Sequence, residues 1–425
     1  MSCNEWKTVK LGDVADVLSG YAFKTKDFIE EGVPVVKIKN IIPPNIDIND
    51  TQYVSNEMYE EKIKYALNYN DILISMTGSN VNQIASAVGK IGRVKLKYTK
   101  LLLNQRVGKL FVKDNSKCNY DYLYYYLIQP EIRYNLAANA GGSANQANIS
   151  PADIKNIDIK LPSLEEQEKI VNILSCLDDK IELNNEMNKT LEEMAQSIFK
   201  RWFVDFEFPN EDGQPYKSSG GEMVESELGM IPEGWEIKTI GDIGNIITGK
   251  TPSSKIGGCF GNEYNFITPR DIDSSIFILK TERELSSIGV DKLKRNIVPK
   301  NSVGVSCIGS NLGEVYITGE DSITNQQINT VVLNREELYP YVYIYLKNMK
   351  EDFLNMSSGS AVPIINKTSF SNINILIPNI DLLNKYVKAI SCYFDRIKEN
   401  IKEIESLTIL RDTLLPKLIN GEIIK

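Results

Sequence analysis

The side chains able to do chemistry in this chain are donors and acceptors, not nucleophiles. It has 425 residues and no histidine. That removes Ser-His-Asp and Cys-His catalysis, HExxH metal sites and imidazole acid–base work. There is no GxxxxGK[ST] phosphate loop, no GxGxxG fingerprint, and no Asn/Asp-Pro-Pro-aromatic segment; "IPPNI" at 42–46 has the wrong order. Six cysteines stand singly, without a CxxC pair, so neither a zinc knuckle nor a disulfide framework is expected. What remains suits base-edge and phosphate recognition: Arg and Lys for guanine and phosphate, Asn and Gln for adenine. Residues 90–117 hold nine basic groups and one acid, a stripe fit for a phosphate backbone through Lys90, Arg93, Lys95 and Lys97. Polar loops supply candidate base readers. In the first half these are Ser79, Asn80, Gln105, Arg106, Ser143, Asn145 and Gln146. In the second half they are Ser310, Asn311, Gln326, Gln327 and Ser360, with Lys250 and Arg270 as phosphate contacts. Gly-Ser and Asn-Gln pairs also build turns, and each residue carries that plainer reading too.

The elements that must position these residues are written twice. "LGDVADVLSG" (11–20) and "IGDIGNIITG" (240–249) share one frame, 229 residues apart. The repeat continues through "DILISMTGS" and "SVGVSCIGS", "NQRV" and "NQQI", "YDYLYYYL" and "YPYVYIYL", and "NIDIKLP" and "NINILIP". The offset drifts slowly downward and never jumps back, as expected of one duplicated unit whose loops changed length. Each copy opens with a strand-rich part, 1–162 or 231–378, in which short apolar runs end at Gly, Pro or Asn. The tyrosine-rich stretch in each reads as a helix whose rings are core.

Each copy closes with a long helix, 163–204 or 379–425. A heptad seam runs through Ile170, Leu174, Leu177, Ile181, Asn184, Leu191 and Ile198, matched by Ile390, Ile397, Asn400, Leu407 and Leu414. Tyr393 falls in the same frame. One asparagine recurs in both seams, which suggests two helices paired antiparallel with a polar register mark. Residues 205–230, rich in Pro, Gly, Ser and acids, read as a linker. The fold class expected is mixed α+β: two pseudosymmetric strand-rich domains joined by two long antiparallel coiled-coil helices.

The net charge of −8 is unevenly spread. Residues 1–160 carry +3, 161–230 carry −10, 231–378 carry −2 and 379–425 carry +1. The acid lies in the first helix and the stretch after it. No apolar run nears the ~20 residues of a membrane helix, and no signal peptide is evident, so a cytoplasmic location is expected.

Three long phrases carry a resemblance. "LEEMAQSIFKRWFVDFE" (191–207), "SELGMIPEGWEIKTIGDI" (226–243) and "LRDTLLPKLINGEI" (410–423) resemble the specificity (S) subunit of Type I restriction-modification enzymes. The likeness covers both halves in order. It implies two target recognition domains, each reading half of a split, asymmetric DNA sequence. It also implies that the helices set the spacing and dock two methyltransferase (M) subunits. The chain would then have no catalysis and no cofactor of its own. S-adenosylmethionine would belong to the M partner, and ATP and Mg to a nuclease (R) subunit where one is present.

Overall fold

The computed structural model describes residues 6–423 except 80–81, 84–87, 98, 144–145, 254–256, 273–274 and 357–363. Asn80, Asn145 and Ser360 therefore lie outside the described residues. The chain forms two compact units, 1–179 with 407–425, and 180–406. Each holds one strand-rich domain and a segment of both long helices.

The two domains share one scaffold. In the first unit, Ala15–Ser19, Val107–Val112, Ile72–Ser75 and Ile91–Arg93 lie side by side and antiparallel, extended by Asn45–Ile46 and Ile41–Ile42. In the second, Gly244–Thr248, Ile328–Leu333, Val303–Ser306 and Val315–Thr318 repeat that order, followed by Phe277–Ile278. The central strands are buried on both faces (Ile72–Ser75 and Val303–Ser306), which explains their continuous apolar runs. A two-stranded pair closes each domain: Lys7–Lys10 with Asp158–Leu161, and Glu236–Thr239 with Asn374–Ile377.

The repeated phrase follows from this geometry. Asp13 accepts from the Lys10 N–H at 3.1 Å, and Asp242 from the Thr239 N–H at 2.8 Å, each closing a one-turn helix. The closing glycines lie flat on a neighbouring backbone. A Cβ on Gly20 would overlap the Leu103 carbonyl, and one on Gly249 the Asn325 carbonyl. Only glycine permits that approach.

The long helices are Leu164–Phe199, ending in a π turn at Lys200–Val204, and Ile380–Ile419. Within the second unit they run antiparallel. Asn184 Nδ2 donates to Glu403 at 2.9 Å, and Asn400 Nδ2 donates to Asn188 at 2.8 Å. Both asparagines are fully buried, as a seam position requires. Ile390 and Ile397 are buried beside them, while Ile181, Leu191 and Ile198 are half-buried. Phe394, not Tyr393, fills the core at that turn. Ala195, Phe199 and Phe203 add a second buried stripe, because this helix segment covers its domain as well as its partner. In the first unit, Ile170 and Leu174 pack in one core with Leu415, Leu418 and Ile419. Leu177, Leu407 and Leu414 are half-buried there, and Arg411 bonds Asp178 at 2.9 Å.

The 205–230 segment is not a loose linker. Phe208 is buried and stacks on Tyr216 and Trp235 at 4.5 and 5.3 Å, and Met223–Ser226 pairs with Gly229–Pro232. Its polar composition concealed three aromatics that belong to the second unit's core. The tyrosines of Tyr120–Leu127 and Tyr339–Asn348 are core as expected. Hydroxyls from each reach the closing strand, Tyr122 to Lys160 O at 2.7 Å and Tyr345 to Asn374 O at 3.0 Å, while Tyr125 and Tyr343 bond Asp178 and Glu192 of the first long helix.

Candidate DNA interface

Strand direction brings several predicted residues to one end of each sheet. In the first unit, Ser19 pairs with Gly108, Ser75 with Val107, and Ile74 with Ile91. The loops leaving that end carry Ser79, Lys90, Gln105 and Arg106. A small sheet rises beside them: Thr77–Gly78 pairs with Gln146–Asn148, which pairs with Gly141–Ser143. The backbones of Ser143 and Gln146 are paired in that register. Thr77 Oγ1 and Asn148 Oδ1 are 2.8 Å apart, and Arg106 Nη1 lies 3.5 Å from both. Gln105 and Arg106 are exposed, and the Gln105 N–H is held by Tyr21 O at 2.9 Å. Lys90 sits beside Ser75, whose Oγ accepts its N–H at 2.9 Å. Partial burial, then the Arg133 charge, draws its ammonium below the ordinary lysine value.

The basic stripe does not survive as one face. Arg93 is a correction: its side chain is 9% exposed, ion-paired with Asp121 at 2.8 Å, and its guanidinium lies 4.0 Å from the centre of the Tyr124 ring. Lys100, Lys109, Lys113 and Lys117 also pair with carboxylates, of Glu60, Asp71, Asp16 and Asp114. Lys95 and Lys97 leave the sheet at its opposite end, over Tyr69 at 5.5 and 5.4 Å. Asp114 is the stripe's own acid, whereas Asp16, Glu60 and Asp71 come from earlier in the chain and Asp121 from the helix that follows, so charge density along the stripe counts none of these four.

The second unit assembles its own cluster at the same end. The Lys250 N–H donates to Thr324 O at 2.8 Å, and the side chain is exposed. Thr251 Oγ1 donates to Gln326 Oε1 at 2.5 Å. Gln327 Oε1 accepts from Asn325 at 3.0 Å. Asn311 Nδ2 donates to Pro269 O at 2.9 Å, which places Ser310 and Asn311 beside the exposed Arg270. Sequence reasoning missed Thr77, Asn148 and Thr251. Thr77 stands inside the matched phrase "DILISMTGS", and comparison of the two copies singles it out. Asn148 and Thr251 become visible only through their partners.

The family model for the Type I restriction modification DNA specificity domain matches residues 4–193 and 232–406. The chain belongs to this family. A HindI specificity subunit from Haemophilus influenzae is 31% identical to this Type I specificity chain over 322 residues, 64% of this chain and 70% of the relative. The MjaIX specificity subunit of Methanocaldococcus jannaschii is 25% identical across 99% of this chain and 94% of its own. The crystal structure of a Type I S subunit from Mycoplasma genitalium shares the fold, with a TM-score of 0.54 at 17% identity over 98% of this chain and 97% of that one. No helix among the described residues is long and apolar enough to cross a membrane.

Proposed function

We propose that this Type I specificity chain is the non-catalytic S subunit of a restriction-modification complex, and that each unit reads one half of a split, asymmetric target in double-stranded DNA. One observation carries the reading. The same sheet end in both units bears exposed polar loops, and the side chains on them differ. Arg106, Gln146 and Ser79 stand on one scaffold. Lys250, Arg270, Asn311 and Gln326 stand on the other. Shared scaffolds with unlike readers give two unlike half-sites.

The long helices set the gap: 36 residues at ~1.5 Å each is about 54 Å. The acidic surface of 161–230, net −10, suits the two M subunits and not DNA. S-adenosylmethionine is then held by the M partner, ATP and Mg by a nuclease subunit where one is present, and the whole works in the cytoplasm.

The test is a genome-wide map of methylated adenines in cells with and without this gene, with the M partner present. One split motif should disappear with the gene, and exchanging 1–162 or 231–378 for another chain's domain should replace one half only. An unchanged map would refute the proposal.

A further inference from the structure

The two units share one backbone hydrogen-bond pattern at the reading end. The Met76 N–H donates to Arg106 O at 2.9 Å, and the Cys307 N–H to Gln327 O at 2.7 Å. The Ile149 N–H donates to Met76 O at 3.0 Å, and the Ile365 N–H to Cys307 O at 2.9 Å. The Gly20 N–H donates to Val107 O and the Gly249 N–H to Ile328 O, at 3.1 and 3.0 Å. Arg106 is thus the counterpart of Gln327. Thr77 pairs with Asn148 across the small sheet, as Ile308 pairs with Ile364. One backbone site therefore carries Arg, Thr and Asn in the first unit, and Gln, Ile and Ile in the second.

The chemistry of the two versions is opposed. In the first unit, Thr77 and Asn148 place oxygens 3.5 Å from Arg106 Nη1. Among the described residues no hydrogen bond engages its Nη2 or Nε, so an exposed side chain keeps a two-pronged donor edge open. That edge matches the O6 and N7 acceptors of guanine. In the second unit Ile364 is 50% exposed, and Gln327 is turned onto Asn325 through its Oε1 at 3.0 Å. An exposed isoleucine beside the polar Gln326 loop offers methyl contact, which in the major groove distinguishes thymine.

We propose that this shared position determines specificity in both units: Arg106, held by Thr77 and Asn148, selects a guanine in one half-site, and Ile364, with Ile308, selects an A·T pair through the thymine methyl in the other. The inference rests on the half-site reading above and goes further by assigning residues and base classes.

The experiment uses the S chain assembled with its M partner. Methylated adenines are mapped, and binding is measured on duplexes bearing each base pair at every motif position. Arg106→Gln and Ile364→Asn both alter exposed side chains. If the wild type yields no gene-dependent split motif, the half-site reading fails and this proposal with it. Given a motif, Arg106→Gln should cut discrimination for one G·C pair about 10- to 100-fold, in the half-site assigned to 1–162, and leave the other half unchanged. Ile364→Asn should relax one A·T pair in the opposite half only. Unchanged motifs, or binding weakened equally on all duplexes, would overturn the assignment while leaving the half-site reading intact. A uniform loss would mark Arg106 as a phosphate contact.

Discussion

Arg93→Met separates a cation that holds the fold from one that meets DNA. The Arg93 side chain is 9% exposed, and its ion pair with Asp121 spans 2.8 Å. Asp121 is itself 41% exposed and lies in the first turn of Tyr120–Leu127, where the helix N-terminus still favours a carboxylate. The ion pair therefore contributes at the lower end, about 1 kcal/mol. The stack on Tyr124, with the guanidinium 4.0 Å from the ring centre, adds about 0.5–2 kcal/mol. Methionine keeps most of the stem's packing. The expected cost is about 1–3 kcal/mol, which lowers the melting temperature of a unit this size by about 2–4 °C per kcal/mol. Scanning calorimetry on the assembled complex reads this. DNA affinity measured across a salt series should keep its slope, because no phosphate contact is lost. An unchanged melting temperature with a slope shallower by about one charge would refute the reasoning and return Arg93 to the DNA face.

Three further outcomes are expected. Gly20→Ala forces the Leu103–Asn104 backbone away from the end of the Ala15–Ser19 strand and moves the loop bearing Arg106. The cost should be about 1–3 kcal/mol with impaired reading of one half-site, whereas Gly141→Ala, which meets open space, should stay within about 0.5 kcal/mol in calorimetry. The double variant Asn184→Leu/Asn400→Leu removes the buried amides that bond Glu403 and Asn188. It should give motifs of altered gap, or loss of assembly with the M partner, while a methylome of unchanged gap would show that other contacts fix the register. The Thr239 N–H, then its hydroxyl, holds the Asp242 carboxyl below its ordinary value. Its contribution is present above the unfolded aspartate pKa near 4 and is lost as pH falls through the lower folded value, so Asp242→Asn should flatten the acid limb of melting temperature against pH below about 4.

Much of this was legible in the sequence. Duplication, the two long helices, the seam asparagines and the buried tyrosines all leave periodic or repeated marks, and periodicity reports burial directly. Arg93 was misjudged because its neutralising acid lies on another element. The 205–230 segment was misjudged because its composition is polar while three aromatics, Phe206, Phe208 and Tyr216, decide where it packs. The sites were half legible: Arg106 and Gln326 could be named, whereas Asn148 and Ile364 could not.

By itself, the sequence determined the number of units, their order, and the Gly and Asp positions at which the backbone must turn or touch. Those are local demands of sterics and capping, which any single chain segment expresses. Which charges remain open, and which three side chains share one reading position, only the tertiary structure decided. That depends on strands more than 40 residues apart meeting in one register: Thr77 and Asn148 become neighbours only through the sheet that pairs them. Hydrogen bonding across that distance sets what each unit presents, and no local pattern records it.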